Sequence, residues 1–223
     1  NMDKYELGIA VQKVYDFIWD EFCDWYIEMV KPRLWNKEDT TRDAALWTLK
    51  YVLNEALKLL HPFMPFITDE IFCNLNDTDE SIMIAEWPKA LDKFNFAKEE
   101  KDVETVKDAI TALRAVRTSM NVAPSKKAKV YVVSDNSALT ESFTNCIDFL
   151  KQLGCASEVS IQSDKTGIAD DAVSTVVPGA TLYMPLEELV DISKEVERLE
   201  KEVSRLESEI KRSNGMLNNE KFI

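Results

Sequence analysis

Residues 113–134 read LRAVRTSMNVAPSKKAKVYVVS, and within them the chain changes from a helical pattern to a strand pattern. Before this stretch, apolar residues recur every three or four positions, as they do on one face of an amphipathic helix. Its last seven residues, AKVYVVS, are mostly β-branched, aromatic or small, which favours a strand. Pro124 lies between the two patterns and indicates a boundary between a helical domain and a mixed domain.

Four helices are predicted before this boundary. Their expected spans are about 3–30, 41–60, 63–75 and 96–120, with an aperiodic loop over 76–95. The first helix is expected to stop at Lys31-Pro32, because proline disfavours helical geometry in the residue before it. Four helices joined by short or moderate connections form an α-bundle. Residues 1–123 are therefore interpreted as a helical bundle.

Residues 124–185 carry the pattern of a small α+β domain. After the first strand, a helix is predicted over 137–153. Three more short strands are predicted at SEVSIQ, AVSTVV and ATLYMPL, with Pro178-Gly179 as the turn between the last two.

Residues 186–223 have a seven-residue period. Apolar residues occupy one heptad position at Leu189, Val196, Val203, Ile210 and Leu217, and a second position at Ile192, Leu199 and Leu206. This pattern indicates a coiled-coil helix, whose Glu-rich flanks favour a separate antiparallel partner helix over a parallel second copy. The predicted fold class is thus mainly α: a helical bundle, a small α+β unit and a long C-terminal coiled-coil helix.

Composition restricts the class of protein. The 223 residues carry a formal net charge of −13, which excludes a simple basic nucleic-acid-binding domain but allows a local basic patch. No apolar run approaches the ~20 residues of a membrane span. The four cysteines lack the C-x-x-C spacing of a zinc or redox site, so reduced thiols and a cytoplasmic location are expected. Because Asn1 precedes Met2 and a helix starts almost at once, we expect that the chain was cut from a longer one.

Catalytic and metal sites are not predicted. His61 is the only histidine, and a local hydrogen bond at a helix end is its expected role. The sequence has no glycine-rich phosphate loop of the G-x-G-x-x-G or G-x-x-x-x-G-K type.

The one concentration of positive charge lies between Thr105 and Lys129. This stretch contains six basic residues and only one acidic residue, an aspartate. Arg114, Arg117, Thr118 and Asn121 have the spacing of one helical face, expected to flank the buried stripe. Two interpretations stay open: cations at a helix C-terminus, where they meet its negative dipole end, or a site for phosphates and base edges. Lys126 and Lys127 lie beyond the helix and favour the second interpretation. Separately, Tyr5 is a candidate for stacking on a base.

Four segments together are similar to the C-terminal part of valyl-tRNA synthetases, which are class I aminoacyl-tRNA synthetases. They are WDEFCDWYIEMVKP, LKLLHPFMPFITDEIF, LRAVRTSMNVAPSKK and the terminal LEELVDISKEVERLEKEVSRLESEIKRSNGMLNNEKFI. The resemblance implies an anticodon-binding bundle of the class I type, a connecting α+β domain and the first helix of a coiled-coil arm. It implies a tRNA specific for valine as partner, and ATP with magnesium as cofactor of the whole enzyme.

The candidate tRNA contacts therefore come from charge and position in the sequence. They are Arg114, Arg117, Asn121, Lys126, Lys127 and Tyr5. The family usually has an acidic residue where Ser119 stands, so a contact that needs this acid is not expected here. The ATP-binding signatures of the family are missing from the sequence, so we expect the chain to be inactive and to need no cofactor itself. It is expected to be monomeric unless the unpaired arm helix self-associates.

A second class of protein also fits part of the pattern. A coiled-coil interaction protein with a helical docking bundle would explain the heptads and the negative charge, but not the basic cluster. A self-contained hydrolase would need a nucleophile and base pair that the sequence does not offer.

Overall fold

The computed structural model describes residues 2–189 and 192–217, and within them the protein is mainly helical with a single four-stranded sheet. The chain divides into two compact units. The first unit ends at Phe96, and the second begins at Ala97 with the helix that carries the basic cluster. The proposed domain boundary after residue 123 stays a prediction.

The first unit is helical. Its long first helix is built from α1 (Leu7–Asp16), a π-helical segment (Phe17–Ile27) and α2 (Glu28–Trp35), and is followed by α3 (Arg42–Leu60) and α4 (Pro65–Asn76). Short 3-10 turns occur at Ile82–Ile84 and Asp92–Phe94. The buried apolar side chains of this unit are Phe22, Met29, Val30, Ala45, Ala56, Leu57 and Ile82.

The predicted end of the first helix at Lys31-Pro32 is wrong. The helix includes Pro32 and ends at Trp35. Proline removes one backbone donor from a helix, and the loss can be absorbed near a helix end. Pro32 lies in the last turn, and its carbonyl accepts a hydrogen bond from the backbone N–H of Asn36 at 3.1 Å.

His61 makes the local contact expected of it. Its Nδ1 lies 2.7 Å from the hydroxyl of Thr68, which is only 1% exposed. The same hydroxyl donates to the backbone carbonyl of Met64 at 2.8 Å. These contacts tie the end of α3 to the first turn of α4, whose first residue is Pro65.

The second unit joins a long helix to a small sheet. Its elements are α5 (Ala97–Ser119), β1 (Ala128–Val133), α6 (Ser137–Asn145), α7 (Ile147–Leu153), β2 (Ala156–Gln162), β3 (Val173–Val177), β4 (Ala180–Met184) and α8 (Leu186–Leu189). The strand order is β2-β1-β4-β3. Strand β1 runs parallel to β2 and antiparallel to β4, which pairs antiparallel with β3. The single helix predicted over 137–153 is interrupted at Cys146.

The core of the second unit lies along α5. This helix packs against α6, α7 and β3. Four of its apolar side chains are fully buried: Val106, Ala109, Ile110 and Leu113. Gly154, directly after α7, allows a close approach: a Cβ there would lie 3.3 Å from a methyl group of Leu113.

The heptad segment is helical where the structure describes it. Helix α9 spans Ile192–Leu217, whereas Leu189 belongs to α8, which packs against β1, and is 2% exposed. Along α9, Val203, Leu206 and Ile210 are 53%, 44% and 60% exposed. Pairing of this helix in a coiled coil stays a prediction, and residues 218–223 lie outside the described residues.

Candidate nucleic-acid interface

Helix α5 ends in a hydrogen-bonded cap that explains why an asparagine follows it. The backbone N–H of Val122 donates to the carbonyl of Arg117 at 2.9 Å, and that of Asn121 donates to the carbonyl of Thr118 at 3.0 Å. Asn121 has a φ of 53°, in the left-handed region, and Val122 is buried. These bonds form a Schellman motif, in which asparagine is the usual substitute for glycine. Asn121 therefore lies beyond the helix rather than on its face, contrary to the spacing prediction.

Arg117 lies on the buried side of α5. Its side chain is 4% exposed, so the expectation that it flanks the buried stripe is wrong. Its Nη2 donates to the backbone carbonyls of Ala123, at 3.2 Å, and of Lys126. Nη1 is buried and has no hydrogen-bond partner among the described residues. The guanidinium is thus held by backbone carbonyls of the connection between α5 and β1.

That connection is a short turn with fixed ends. The backbone N–H of Lys126 donates to the carbonyl of Ala123 at 3.0 Å, with Pro124 at the position where turns favour proline. Because Arg117 bonds to the carbonyls of the same two residues, the turn is fixed from inside the unit. Lys126 is the last residue of the turn, Lys127 follows it, and both are exposed.

Arg114 links α5 to the end of α7. It is exposed, and its Nε donates to the carbonyl of Leu153 at 2.9 Å. That carbonyl belongs to the last turn of α7, where backbone acceptors lack helical partners and cations are favourable. The structure therefore supports a structural role for Arg114, while its role as a tRNA contact stays a prediction.

Not all of the basic cluster is available to a ligand. Lys107 is 9% exposed and pairs with Glu104 at 2.8 Å. Lys129 pairs with Glu158 at 3.0 Å, and that hydrogen bond raises the pKa of Lys129. By contrast, Lys126 and Lys127 form no ion pair with any residue whose side chain the structure describes. These two exposed lysines are the strongest phosphate-binding candidates in the cluster.

Tyr5 belongs to the first unit, whereas the other five candidates belong to the second. It lies between a 3-10 turn and α1, with a φ of 57° and a side chain that is 89% exposed. Such exposure leaves its ring available for stacking, and the assignment stays a prediction.

A hydrogen bond that the sequence does not predict links α8 to strand β1. The backbone N–H of Lys129 lies at a register irregularity between Ala128 and Val130. It donates to a carboxylate oxygen of Glu188, in α8, at 2.6 Å. Local sequence patterns do not predict this contact, because the two residues are 59 positions apart.

The described residues include neither a metal-binding cluster nor a helix suited to span a membrane. They contain no group of three or more His, Cys, Asp or Glu residues that could hold a metal ion. None of the described helices combines the length and the apolar character needed to cross a membrane.

Comparison with known proteins defines the class. Residues 1–132, more than half of the chain, match the sequence model of the family described as "Anticodon-binding domain of tRNA ligase". The chain belongs to this family of tRNA-ligase domains.

A second match and individual relatives narrow the class. Residues 191–223 match the family described as "Valyl tRNA synthetase tRNA binding arm". Over its full length the chain is 48% identical to the valine–tRNA ligase of Clostridium perfringens and 44% identical to that of Clostridium tetani. It is 38% identical, over 99% of its length, to the valine–tRNA ligase of Listeria monocytogenes. The chain spans 25% of the length of each of these relatives.

Proposed function

We propose that the chain is the tRNA-binding portion of a cytoplasmic valine–tRNA ligase and recognises the tRNA specific for valine. Its contribution is to position the tRNA. Contacts to phosphates fix the register, while exposed bases of the anticodon are read by stacking and by hydrogen bonds to their edges. The observation that carries the proposal is the family match over residues 1–132. The matched range includes all six candidate tRNA contacts, which are Arg114, Arg117, Asn121, Lys126, Lys127 and Tyr5.

The second unit provides the phosphate-binding part of this proposal. Lys126 and Lys127 lie at the end of a hydrogen-bonded turn. Both are exposed, and neither has an ion-pair partner among the described side chains. The chain has a net charge of −13, so most of its surface repels the phosphates of RNA. The two lysines form a local positive site that attracts them. Arg114 and Asn121 contribute further contacts from the second unit, and Tyr5 supplies a stacking surface in the first unit.

The finer architecture belongs to the same proposal. Residues 1–123 form an anticodon-binding bundle of the class I type, and residues 124–185 connect it to the arm. Residues 186–223 form one helix of a coiled-coil arm, whose exposed Val203, Leu206 and Ile210 pack against a partner helix. The chain is a monomer unless this helix self-associates.

Ligase chemistry is proposed only for a whole enzyme of the kind found in the relatives. Such an enzyme joins valine to tRNA and would use ATP with magnesium. The described residues offer neither a metal cluster nor a glycine-rich phosphate loop for these cofactors. We expect no valine-dependent ATP–pyrophosphate exchange from the pure 223-residue chain.

A coiled-coil interaction protein without a nucleic-acid role is the alternative, and the exposed apolar residues of α9 favour it. Replacement of Lys126 and Lys127 by glutamine separates the two functions. Under the tRNA-binding proposal, the association constant K for tRNA falls less steeply with salt in this variant. The slope of log K against the logarithm of the salt concentration decreases in magnitude by about 0.7–0.9 for each lost phosphate contact. Binding is measured by fluorescence anisotropy of a labelled valine tRNA across a salt series.

The matched control replaces Lys101 and Lys151 by glutamine, which removes the same charge elsewhere in the second unit. We expect this control to keep the salt dependence of the wild-type chain. Equal effects of both double variants would contradict a specific phosphate site at Lys126 and Lys127. Failure of the wild-type chain to bind tRNA at low salt would contradict the proposed function itself.

A further inference from the structure

Arg117 is unusual among the candidate tRNA contacts because it is buried. A side chain that is 4% exposed cannot present its charge to a phosphate on the surface of the folded unit. Its hydrogen bonds instead run to the backbone carbonyls of Ala123 and Lys126. Any effect of Arg117 on a surface ligand therefore passes through the backbone of this connection.

Two sets of hydrogen bonds fix the connection. At its start, the Schellman cap ties the N–H groups of Asn121 and Val122 back to the last turn of α5. At its end, the N–H of Lys126 closes the turn on Ala123, and Nη2 of Arg117 bonds to the carbonyls of both residues. The strand β1 begins directly afterwards, at Ala128.

The bond to the carbonyl of Lys126 has a direct consequence for the exposed charges. It fixes the peptide group between Lys126 and Lys127, and this group sets the directions in which both side chains leave the backbone. Two lysines on a fixed peptide lose less conformational freedom on binding than two lysines on a mobile loop, so preorganisation favours their contact with phosphates.

We propose that Arg117 is a positioning residue for phosphate binding: its buried guanidinium holds the Ala123–Lys127 turn so that Lys126 and Lys127 are presented together. The inference rests on the proposed tRNA-binding function and assigns to Arg117 an indirect part in it. Arginine suits this role because it stays charged and places planar donors at the end of a long side chain.

The test uses Arg117→Lys, which keeps the net charge of the chain. Lysine is shorter and lacks the planar fork, so it is not a conservative replacement at such a site. The experiment measures affinity for labelled valine tRNA over a salt series, together with urea unfolding and circular dichroism to establish that the variant is folded. We expect the slope of log K against the logarithm of the salt concentration to become shallower, although no charge has been removed. Its magnitude should decrease by about 0.7–0.9 for each of the two lysine contacts that is lost.

A double-mutant cycle completes the test. If Arg117 acts through the turn, adding Arg117→Lys to the Lys126→Gln/Lys127→Gln variant weakens binding no further. If Arg117 contacts a phosphate itself, Arg117→Lys keeps the wild-type slope, and its effect on affinity adds to that of the lysine variants. If its role is only structural, the unfolding midpoint falls while the slope and the affinity of the folded protein stay unchanged.

Either of the last two results would overturn the inference and leave the proposed function standing. Absence of salt-dependent binding by the wild-type chain would instead overturn the proposed function, so the two failures are distinguishable.

Discussion

Ser142 donates a 2.5 Å hydrogen bond from its Oγ to Oδ1 of Asp102, joining α6 to α5 at a point where both side chains are buried. Asn145 donates to the other carboxylate oxygen at 3.3 Å. The hydrogen bond from Ser142, followed by that from Asn145 and the charge of Lys98, outweighs the effect of burial and lowers the pKa of Asp102. The ionised carboxylate therefore stabilises the packing of α5 against α6.

Asp102→Asn is expected to lower the free energy of unfolding near pH 7. The pKa of Asp102 is lower in the folded state than the ordinary value of about 3.9, so its contribution is present above that value. The contribution is lost as the pH falls through the folded-state pKa, and the difference between variant and wild type should narrow there. Urea unfolding from pH 7 to pH 3 measures this. Asp108→Asn, at an exposed position of the same helix, is the control, and a pH-independent gap for Asp102→Asn would argue against the account.

Gly154→Ala should destabilise the second unit. A Cβ at this position would lie 2.5 Å from the carbonyl oxygen of Leu150, which is backbone and cannot move aside cheaply. Overpacking of this kind typically costs about 1–3 kcal/mol. Gly8→Ala is the matched control: nothing lies within 4 Å of its added Cβ, and alanine in a helix is favoured over glycine by up to about 1 kcal/mol. Thermal unfolding should move in opposite directions for the two variants, and a shared direction would be inconsistent with the close approach at Gly154.

Thr68→Val should destabilise the first unit. The valine removes the hydroxyl that contacts Nδ1 of His61 and donates to Met64, and it leaves the imidazole without that contact. Loss of the hydrogen-bond partner of a half-buried polar group lowers the free energy of unfolding by about 1–3 kcal/mol. Thr144→Val, at an exposed position, should change stability by no more than about 0.5 kcal/mol. Denaturant unfolding compares the two, and equal effects would show that the contact between Thr68 and His61 contributes little.

Amide hydrogen exchange should be fast in the last two turns of α9. The described side chains from Val203 to Gly215 are exposed, so little tertiary packing protects the backbone of this helix. Helices without packing partners are marginally stable in water. Mass spectrometry of the monomer should therefore find low protection after Ile210. Strong protection in a chain shown to be monomeric by sedimentation would refute this prediction.

The periodic elements could be predicted from sequence, whereas the departures from them could not. Helices α3, α4 and α5 lie within a few residues of their predicted spans, and the four predicted strands form the sheet. The continuation of the first helix past Pro32 was missed because the rule on proline is a preference that the rest of a helix can override. The break at Cys146 falls within an unbroken apolar pattern, so periodicity alone does not reveal it.

Arg117 shows where the prediction of a side chain's position went wrong. It stands seven residues after Ile110 and four after Leu113, so its spacing places it on the buried face, and only its charge suggested the surface. Its burial depends on carbonyls that a turn brings to it, and such a turn is formed only in the folded chain. For Asn121 a signal was present: an asparagine just after a helical pattern, followed by a proline, is typical of a helix C-terminus.

The most direct test of the central claim is the affinity of the 223-residue chain for valine tRNA, compared with the same tRNA carrying a changed anticodon. Fluorescence anisotropy over a salt series measures both. The account predicts tighter binding to the valine anticodon, with an affinity that weakens as salt rises because phosphate contacts contribute to it. Equal affinity for the two tRNAs at every salt concentration, or no binding to either at low salt, would contradict it.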